Sequence, residues 1–319
     1  MRYRALGALV GSLAAGIAWS QAYPVKPVRV VIPWPPGGAN DVVGRVVMQK
    51  VGDALGQQFV VDNRGGAGGT IGADLVAKSL PDGYTLMVHS TTHVGNPHLY
   101  RKLPYDTLKD FTALGLLTSQ TTVLTVHASL PAKTVKEFIA LAKARPGQIL
   151  YSSAGNGSAP HLSMALLAAM ANIRLEHVPY KGGAPQVSAL LAGESQASLA
   201  TIATVIAHVK SGRLRALGVS SLKRSAVLPD VPTISEAGVP GYEMAPWVGV
   251  FGPAGMPRAL VDRLNAECNK ALKLPDVVQT LASQALDPWP GTPDEFAERL
   301  RVDHEKYGRL IRMTGAKVD

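Results

Sequence analysis

The sequence is poor in several residue types that mark particular protein classes. Its 319 residues include a single cysteine, Cys268, which excludes an internal disulfide framework and a cysteine-built zinc site. Charged residues make up 17% and aromatic residues 6%, whereas 46% are hydrophobic, which excludes a disordered chain. The sequence has no fixed-period repeat and no low-complexity tract. It therefore indicates a globular protein, and its length indicates about two domains.

Acidic residues are also fewer than basic ones. The chain has 32 Lys and Arg against 23 Asp and Glu, a formal net charge of +9. The basic residues are scattered, and clusters such as Lys223–Arg224 and Arg299–Arg301 are small. We therefore interpret them as solvated surface charges and expect no nucleic-acid partner. A positive net charge would instead attract anions.

The N-terminal residues have the features of a targeting segment. Two arginines precede an apolar run over residues 5–18. This run is too short for a membrane-spanning helix, which needs about 20 apolar residues. Small residues follow it and allow cleavage before Gln21 or before Tyr23. We predict a secretory signal peptide over residues 1–22.

Short apolar strands alternate with amphipathic helices along the remaining chain. The strands are near-continuous apolar runs, which is typical of sheets covered on both faces. This alternation predicts an α/β fold with mostly parallel sheets flanked by helices. The predicted strands are 28–34, 58–62, 84–89, 122–127, 149–153, 174–180, 196–202, 214–220 and 248–252, and the predicted helices are 40–55, 134–145, 160–171 and 292 to about 313.

Four glycine-rich loops each follow a predicted strand and precede a helix. They are PWPPGGAND (33–41), NRGGAGGTIG (63–72), YSSAGNGSAPH (151–161) and HVPYKGGAPQ (177–186). Glycine lets a ligand approach the backbone, and the N–H groups at a helix start suit a carboxylate or a phosphate. One such loop is ordinary turn chemistry, but four at the carboxyl ends of strands indicate a binding cleft.

The signals for an enzyme are weak. Gly66, Gly68 and Gly72 resemble part of a dinucleotide-binding fingerprint, but they follow the second strand and no acidic residue ends the next one. Ser158 and His161 could suggest a nucleophile and its base. However, the G-x-S-x-G elbow is absent, and Ser158 stands where a helix cap is expected. We predict no catalytic residue and no cofactor.

Three histidines, His89, His93 and His98, lie close together in the sequence. No Asp or Glu lies between them, and their spacing does not match a helical metal-binding motif. We interpret them as exposed or cleft-lining histidines and predict no metal site.

Several motifs together resemble the Bug family of periplasmic substrate-binding proteins, which are associated with tripartite tricarboxylate transporters. The motifs are PWPPGGAND, NRGGAGGTIGADLVAKSLPDGYTL, NPHLY, YSSAGNGSAPHL, PYKGGAPQ and LPDVPTISEAGVPGYE, in this order from about Tyr23 onward. The resemblance implies a two-lobed periplasmic binding protein of the Venus flytrap, type II-like form. It implies a small organic acid as ligand, a periplasmic location and a membrane permease of the tripartite tricarboxylate transporter type as partner. We expect the protein to be a monomer.

The resemblance also implies which residues bind the ligand. In the family, the loops that match residues 35–41 and 155–161 hold a ligand carboxylate, partly through water. Trp34 could form the floor of the pocket, and we expect Trp247 to lie in the core. We expect Asp41 to organise its loop, because a carboxylate facing an anion would repel it. The predicted ligand-binding residues are Trp34, Pro36, Gly37, Gly38, Asn40, Asp41, Thr70, Ser90, Thr91, Thr92, Gly155, Asn156, Gly157, Ser158, His161, Tyr180, Lys181 and Thr201.

One departure from the family bears on the ligand. Many relatives have a polar residue, often Asp, near the end of the strand that lies here around 198–204, where this chain has Ala200 and Thr201. Without a carboxylate to pair with an ammonium group, we expect a plain carboxylate ligand rather than an amino acid.

We predict a first lobe over 23–123 plus 221–319 and a second lobe over 124–220, with the C-terminal helix packed on the first lobe. Two other functions stay open at this point. One is a ligand-presenting partner of a membrane sensor, and the other is a secreted enzyme built on the same fold.

Overall fold

The computed structural model describes residues 23–315, so the predicted signal peptide lies outside the described residues. Within this range, no helix is both long and apolar enough to cross a membrane. The strands are β1 (Val28–Ile32), β2 (Phe59–Asn63), β3 (Thr85–Ser90), β4 (Phe111–Gln120), β5 (Thr122–His127), β6 (Leu150–Ser153), β7 (Glu176–Pro179), β8 (Ala197–Thr201), β9 (Leu214–Val219), β10 (Trp247–Pro253) and β11 (Leu286–Pro288). The helices are α1 (Ala39–Leu55), α2 (Thr70–Ala77), α3 (Thr92–Leu99), α4 (Val135–Ala144), α5 (Ala159–Ala171), α6 (Gly183–Ala192), α7 (Ile202–Lys210), α8 (Arg258–Ala271), α9 (Pro275–Ser283) and α10 (Pro293–Thr314).

These strands form two sheets. One has six strands in the order β11-β4-β10-β3-β1-β2, and the other has five in the order β7-β6-β8-β5-β9. The elements around the six-stranded sheet are called the first lobe here, and those around the five-stranded sheet the second lobe. The two-lobed α/β architecture predicted from the sequence is confirmed.

Both sheets are mixed, and most strands of each sheet run in the same direction, as the sequence predicts. Strand β1 pairs in parallel with β2 and β3, and β6 pairs in parallel with β7 and β8. In contrast, β10 is antiparallel to β3 and β4, β11 is antiparallel to β4, and β5 is antiparallel to β8 and β9. For β5 and β10 the cause is that the chain crosses between the lobes, from β4 into β5 and from β9 through residues 220–246 into β10. The neighbouring parallel strands end at the edge of the sheet that faces the other lobe. A strand that arrives from the other lobe starts at this edge, so it runs in the opposite direction.

The predicted elements occur with ends shifted by at most two residues. The sequence prediction lacked β4 and β11, which lie next to each other at one side of the six-stranded sheet. The lobe boundaries at 123/124 and 220/221 stay predictions.

The C-terminal helix connects the two lobes. A capping box at Thr292 and Glu295 starts α10, as the sequence predicts. The helix packs on α3 and β4 of the first lobe, and it also packs on α5 of the second lobe. Trp247 lies in the core, as expected, and its Nε1 donates a hydrogen bond to Asp303 Oδ2 of α10 (2.7 Å). One hydrophobic cluster therefore extends from the first lobe through α10 into the second lobe.

Candidate ligand-binding site

Six helices begin where strands of the two sheets end. In the first lobe, α1, α2 and α3 follow β1, β2 and β3, and in the second lobe α5, α6 and α7 follow β6, β7 and β8. Because neighbouring parallel strands end at the same edge of a sheet, three helix N-termini gather at one edge of each sheet. The free N–H groups and the positive dipole end of each helix make these edges suited to bind an anion.

A contact between α3 and the loop before α5 brings the two lobes together. The side chain of Leu99 in α3 occupies the space where a Cβ on Gly157 would lie. Gly157 has a φ of +72°, and Leu99 is buried. Glycine at this position therefore allows the second lobe to approach α3 closely.

The loop before α1 is organised by a buried aspartate. Asp41 accepts hydrogen bonds from the Gly37 amide (2.9 Å), from Arg45 Nε (3.0 Å) and from Asn63 Nδ2 (2.9 Å). Burial raises the pKa of Asp41, but the bonds from Arg45, Gly37 and Asn63 outweigh burial and bring the pKa below its usual value. The carboxylate is thus ionised and directed into its own loop.

The other predicted residues of this loop are more exposed. Pro36, Gly37 and Gly38 are exposed, and Trp34 is half-buried. Asn40 is buried within α1, and its Oδ1 has no hydrogen-bond partner among residues 23–315. Gly38 is the N-cap of α1. The N-cap thus lies two residues before Asn40, which is inside the helix and does not cap it.

Thr70 begins α2 but does not cap it. The N-cap position belongs to Gly69, which has the left-handed φ of +90° that glycine adopts readily. The helix consequently starts one residue earlier than a Thr70 cap would require, and the Thr70 side chain is buried.

Three hydroxyl residues, Ser90, Thr91 and Thr92, connect β3 to α3, and all three are buried. Ser90 Oγ donates to Thr92 Oγ1 (3.4 Å), and the Thr91 amide donates to the Trp247 carbonyl (3.1 Å). Burial raises the pKa of the Tyr307 hydroxyl of α10, which also hydrogen-bonds the Thr91 side chain. This turn is therefore joined both to β10 and to the helix that connects the lobes.

In the second lobe, a stack of rings lies behind the loop 154–158. The His161 and His177 rings are parallel, with centroids 4.1 Å apart, and His177 also stacks on Tyr151 (4.8 Å). His161 Nδ1 accepts the Gly157 amide (3.0 Å), and His177 Nε2 lies 2.6 Å from Ser153 Oγ. Burial lowers the pKa of His161 to about 3 and the pKa of His177 to about 4. Two neutral imidazoles thus hold the backbone and the Ser153 side chain beside this loop in place.

The remaining loop residues differ in exposure. Gly155 has a φ of +124°, Asn156 is exposed, and Ser158 is buried. The Ser158 hydroxyl donates to the Gly155 carbonyl (2.6 Å) and makes no side-chain capping bond to α5. The predicted side-chain cap at Ser158 is therefore wrong, although the residue does occupy the N-cap position.

Tyr180, Lys181 and Thr201 lie at the ends of the neighbouring strands. The Tyr180 hydroxyl donates to Glu194 Oε2 (3.1 Å), and Lys181 is exposed. Thr201 is half-buried at the start of α7, with its Oγ1 3.3 Å from Thr204 Oγ1. This part of the edge offers hydroxyl groups and backbone amides.

Ala200 lies in the core of the second lobe and does not line the cleft. Its side chain is fully buried in the cluster of the second lobe that includes Val123, Val187 and Leu190. Side chains alternate between the faces of a strand, so a shift of one residue moves a position from the core to the opposite side. Thr201 is the residue of this pair that is half-exposed at the strand end.

The expectation that His89, His93 and His98 are exposed or line the cleft is also corrected. His89 and His93 are fully buried, not exposed, because their rings pack among Trp34, Tyr105, Phe111 and Phe251. His98 is half-buried, and its Nε2 lies 2.9 Å from the His304 carbonyl of α10. Within residues 23–315, no group of three or more His, Cys, Asp or Glu side chains could hold a metal ion.

A groove of about 840 Å³ lies elsewhere, beside α1 and the edge strand β2. Its lining includes Arg45, Gln49, Asp53, Gln58 and Val60, and none of the predicted ligand-binding residues. We therefore treat it as separate from the strand ends described above.

Four residues that organise the two edges were missed by the sequence analysis: Arg45, Asn63, Ser153 and His177. Arg45 had a detectable signal, because it follows Asp41 by four residues on a predicted helix. Asn63 and His177 bond to residues that are distant in sequence, and Ser153 bonds both to the nearby Gly155 and to the distant His177.

Comparison with known proteins agrees with these features. Residues 43–316 match the family model described as tripartite tricarboxylate transporter family receptor. A protein of the tcbD–tcbE intergenic region of Pseudomonas sp. is 43% identical over 91% of this chain and 87% of its own length. The protein BugT of Bordetella pertussis is 36% identical over 95% of both chains.

Solved structures of related binding proteins are also similar to this chain. An R. palustris protein with adipate has a TM-score of 0.86 and 32% identity, covering 92% of this chain and 99% of its own. MatC from Rhodopseudomonas palustris with bound malate has a TM-score of 0.83 and 31% identity, covering 91% of this chain and 100% of its own. The two-lobed architecture is thus that of periplasmic binding proteins, and the chain belongs to the tripartite tricarboxylate transporter receptor family, in which the Bug proteins are found.

Proposed function

We propose that this chain binds a small organic carboxylate between its lobes in the periplasm and delivers it to a membrane permease of the tripartite tricarboxylate transporter type. The observation that carries the proposal is the gathering of three helix N-termini at one edge of each sheet. Membership of a transporter receptor family supports it, as do adipate and malate in two structural relatives. Both of these ligands are dicarboxylates.

The chemistry of the edges fits an anion held by neutral donors. Backbone amides and the hydroxyls of Thr92 and Thr201 can donate hydrogen bonds to an anion without adding a buried charge, while the Ser90 hydroxyl donates to Thr92 Oγ1. Asp41 is ionised but is already bonded to Gly37, Arg45 and Asn63, which keeps its charge away from a ligand. Bridging water would let the same edges accept acids of different length.

Binding rather than catalysis is supported by the arrangement of the candidate nucleophiles. The Ser158 hydroxyl donates to the Gly155 carbonyl, and His161 Nδ1 accepts the Gly157 amide, so each is bonded to the loop backbone. Burial raises the pKa of the Cys268 thiol to about 12, which keeps it protonated and unreactive. We propose that the protein is not an enzyme.

A thermal-shift screen of the mature chain tests the proposal. Adipate, malate, succinate, aspartate, a tricarboxylate and an aromatic acid would be compared with a nicotinamide dinucleotide. A ligand at 100 times its Kd stabilises the fold by about 2.7 kcal/mol, which raises the Tm measurably. We expect a dicarboxylate to raise the Tm, and succinate to do so more than aspartate, because no acidic residue stands at the half-exposed Thr201.

Three outcomes would contradict this function or part of it. If the dinucleotide raises the Tm and no acid does, the carboxylate proposal fails. If nuclear magnetic resonance of the bound acid shows its conversion, the protein is a secreted enzyme on this fold. A membrane kinase signal that depends on the protein, without uptake of the acid, would indicate the sensor partner instead of the permease.

A further inference from the structure

His89 is a fully buried residue that touches three segments leading to the ligand-binding edge of the first lobe. It is the penultimate residue of β3, directly before the hydroxyl turn at Ser90. Its Nδ1 accepts the Ser90 amide (2.8 Å) and the Trp34 Nε1–H (3.3 Å). One ring nitrogen therefore joins the loop after β1 to the turn after β3.

The opposite side of the ring meets the third segment. A Cβ on Gly69 would lie 2.7 Å from His89 Nε2, so glycine is the residue that lets the ring fit beneath the start of α2. Gly69 also has a φ of +90°, which side chains rarely adopt. The turn before α2 is thus shaped around this imidazole.

The hydrogen bonds define the form of the ring. Because Nδ1 accepts two N–H groups, it carries no proton, and the neutral ring has its proton on Nε2. Burial first, and then the neighbouring His93, lower the pKa of His89 well below its ordinary value, which agrees with a neutral ring. Nε2 has no hydrogen-bond partner among residues 23–315.

We propose that His89 is a positioning residue for ligand binding, because it fixes Trp34, Ser90 and Gly69 relative to one another. This role rests on the proposed function, since these three segments form the edge that would face the acid. His89 itself does not touch the ligand, because its side chain is fully buried. The half-buried indole of Trp34 is the group whose orientation it controls most directly.

Two substitutions separate positioning from simple packing. His89→Asn places Oδ1 close to the position of Nδ1 and keeps an acceptor for Ser90 and Trp34. His89→Leu keeps much of the volume and removes the acceptor. The affinity for adipate and for malate would be measured by calorimetry, and the Tm by circular dichroism.

We expect His89→Leu to weaken the binding of the acid by about tenfold, the factor that corresponds to about 1.4 kcal/mol. His89→Asn should restore most of this loss. In a Trp34→Phe background, which lacks the indole donor, His89→Leu should have a smaller effect, because the bond it breaks is already absent. If both variants lower the Tm alike and leave the affinity unchanged, His89 is only structural and the proposal is overturned.

A measurement on the ligand-free wild-type protein covers the case in which His89→Leu does not fold. The ¹⁵N shifts of His89 should show an unprotonated Nδ1, and the Trp34 indole proton should exchange slowly with solvent. A protonated Nδ1 or a freely exchanging indole overturns the proposal. If the wild-type chain binds no acid at all, the proposed function fails and this role fails with it. If it binds and the variants do not differ, only the role of His89 fails.

Discussion

Lowering the pH from 7 to 5 should destabilise the protein through the stacked pair His161 and His177. In the folded state, burial holds their pKa values at about 3 and about 4, against an ordinary value of 6.5. As the pH falls below 6.5, the unfolded chain takes up protons on these rings, whereas the folded chain does not. The stabilisation is therefore complete above about pH 6.5 and is lost as the pH falls toward the folded values.

The lowered pKa values of the two histidines define how much free energy of unfolding is lost. One pKa unit corresponds to about 1.4 kcal/mol, so a histidine that stays neutral in the fold contributes a loss of about 2 kcal/mol between pH 7 and pH 5. His161 is buried and should contribute about this amount. His177 is half-buried, and solvent screening reduces its share to about 1 kcal/mol. The pair should therefore account for a loss of about 3 kcal/mol in the free energy of unfolding.

Urea unfolding at pH 7 and at pH 5 measures this loss. The matched variant is His161→Asn with His177→Gln, because Asn Oδ1 can still accept the Gly157 amide and Gln Nε2 can still reach Ser153. The free energy of unfolding at pH 7 gives the cost of the two substitutions themselves. Its change between pH 7 and pH 5 gives the contribution from protonation of the two histidines. The variant should lose about 3 kcal/mol less than the wild type over this range. An equal loss in both proteins would refute the role of the stacked pair.

Three further predictions concern the binding edge. Gly37→Ala should cost about 1 kcal/mol of stability, because Gly37 has a φ of +85°, and it should also weaken acid binding. The control is Gly212→Ala, at a φ of +74° in an open turn after α7. It should cost the same stability and leave the affinity measured by calorimetry unchanged. Asp41→Ala should lower the free energy of unfolding by about 2 kcal/mol, because Gly37, Arg45 and Asn63 lose their common acceptor, and a denaturation midpoint equal to that of the wild type would contradict this. Ala200→Asp should prevent folding or lower the Tm strongly, because the carboxylate would be buried among apolar side chains. Thr201→Asp should fold and bind succinate more weakly. Normal folding of Ala200→Asp would show that the position does not face the core.

Most strands could be predicted because they are short, near-continuous apolar runs that alternate with amphipathic helices, which is the pattern of an α/β fold. Strand β4 was missed because FTALGLLTSQ mixes glycine, threonine and apolar residues, and β11 because it has three residues at a sheet edge. The direction of β5 and β10 could not be predicted. It depends on the route of the chain between lobes and leaves no local pattern.

The site was predictable in outline and not in detail. The glycine loops mark strand-to-helix turns, so their common location followed from the α/β alternation. The faces of Ala200 and Thr201 depend on a register of one residue, which a sequence without a structure does not define. The burial of His89 depends on Trp34 and Gly69, which are distant in sequence, so nothing in MVHSTT distinguished it from an exposed residue.

The packing of α10 on both lobes has a consequence for how tightly a ligand is held. Leu162 of α5 and Tyr307 of α10 belong to one buried cluster, and separating α5 from α10 would expose its apolar surface. This packing therefore stabilises the present arrangement of the two lobes without a ligand. Measured affinity is the intrinsic affinity multiplied by the fraction of molecules already in the binding-competent arrangement. Substitutions in α10, which contains none of the predicted ligand-binding residues, would therefore change the affinity and leave the selectivity between acids unchanged.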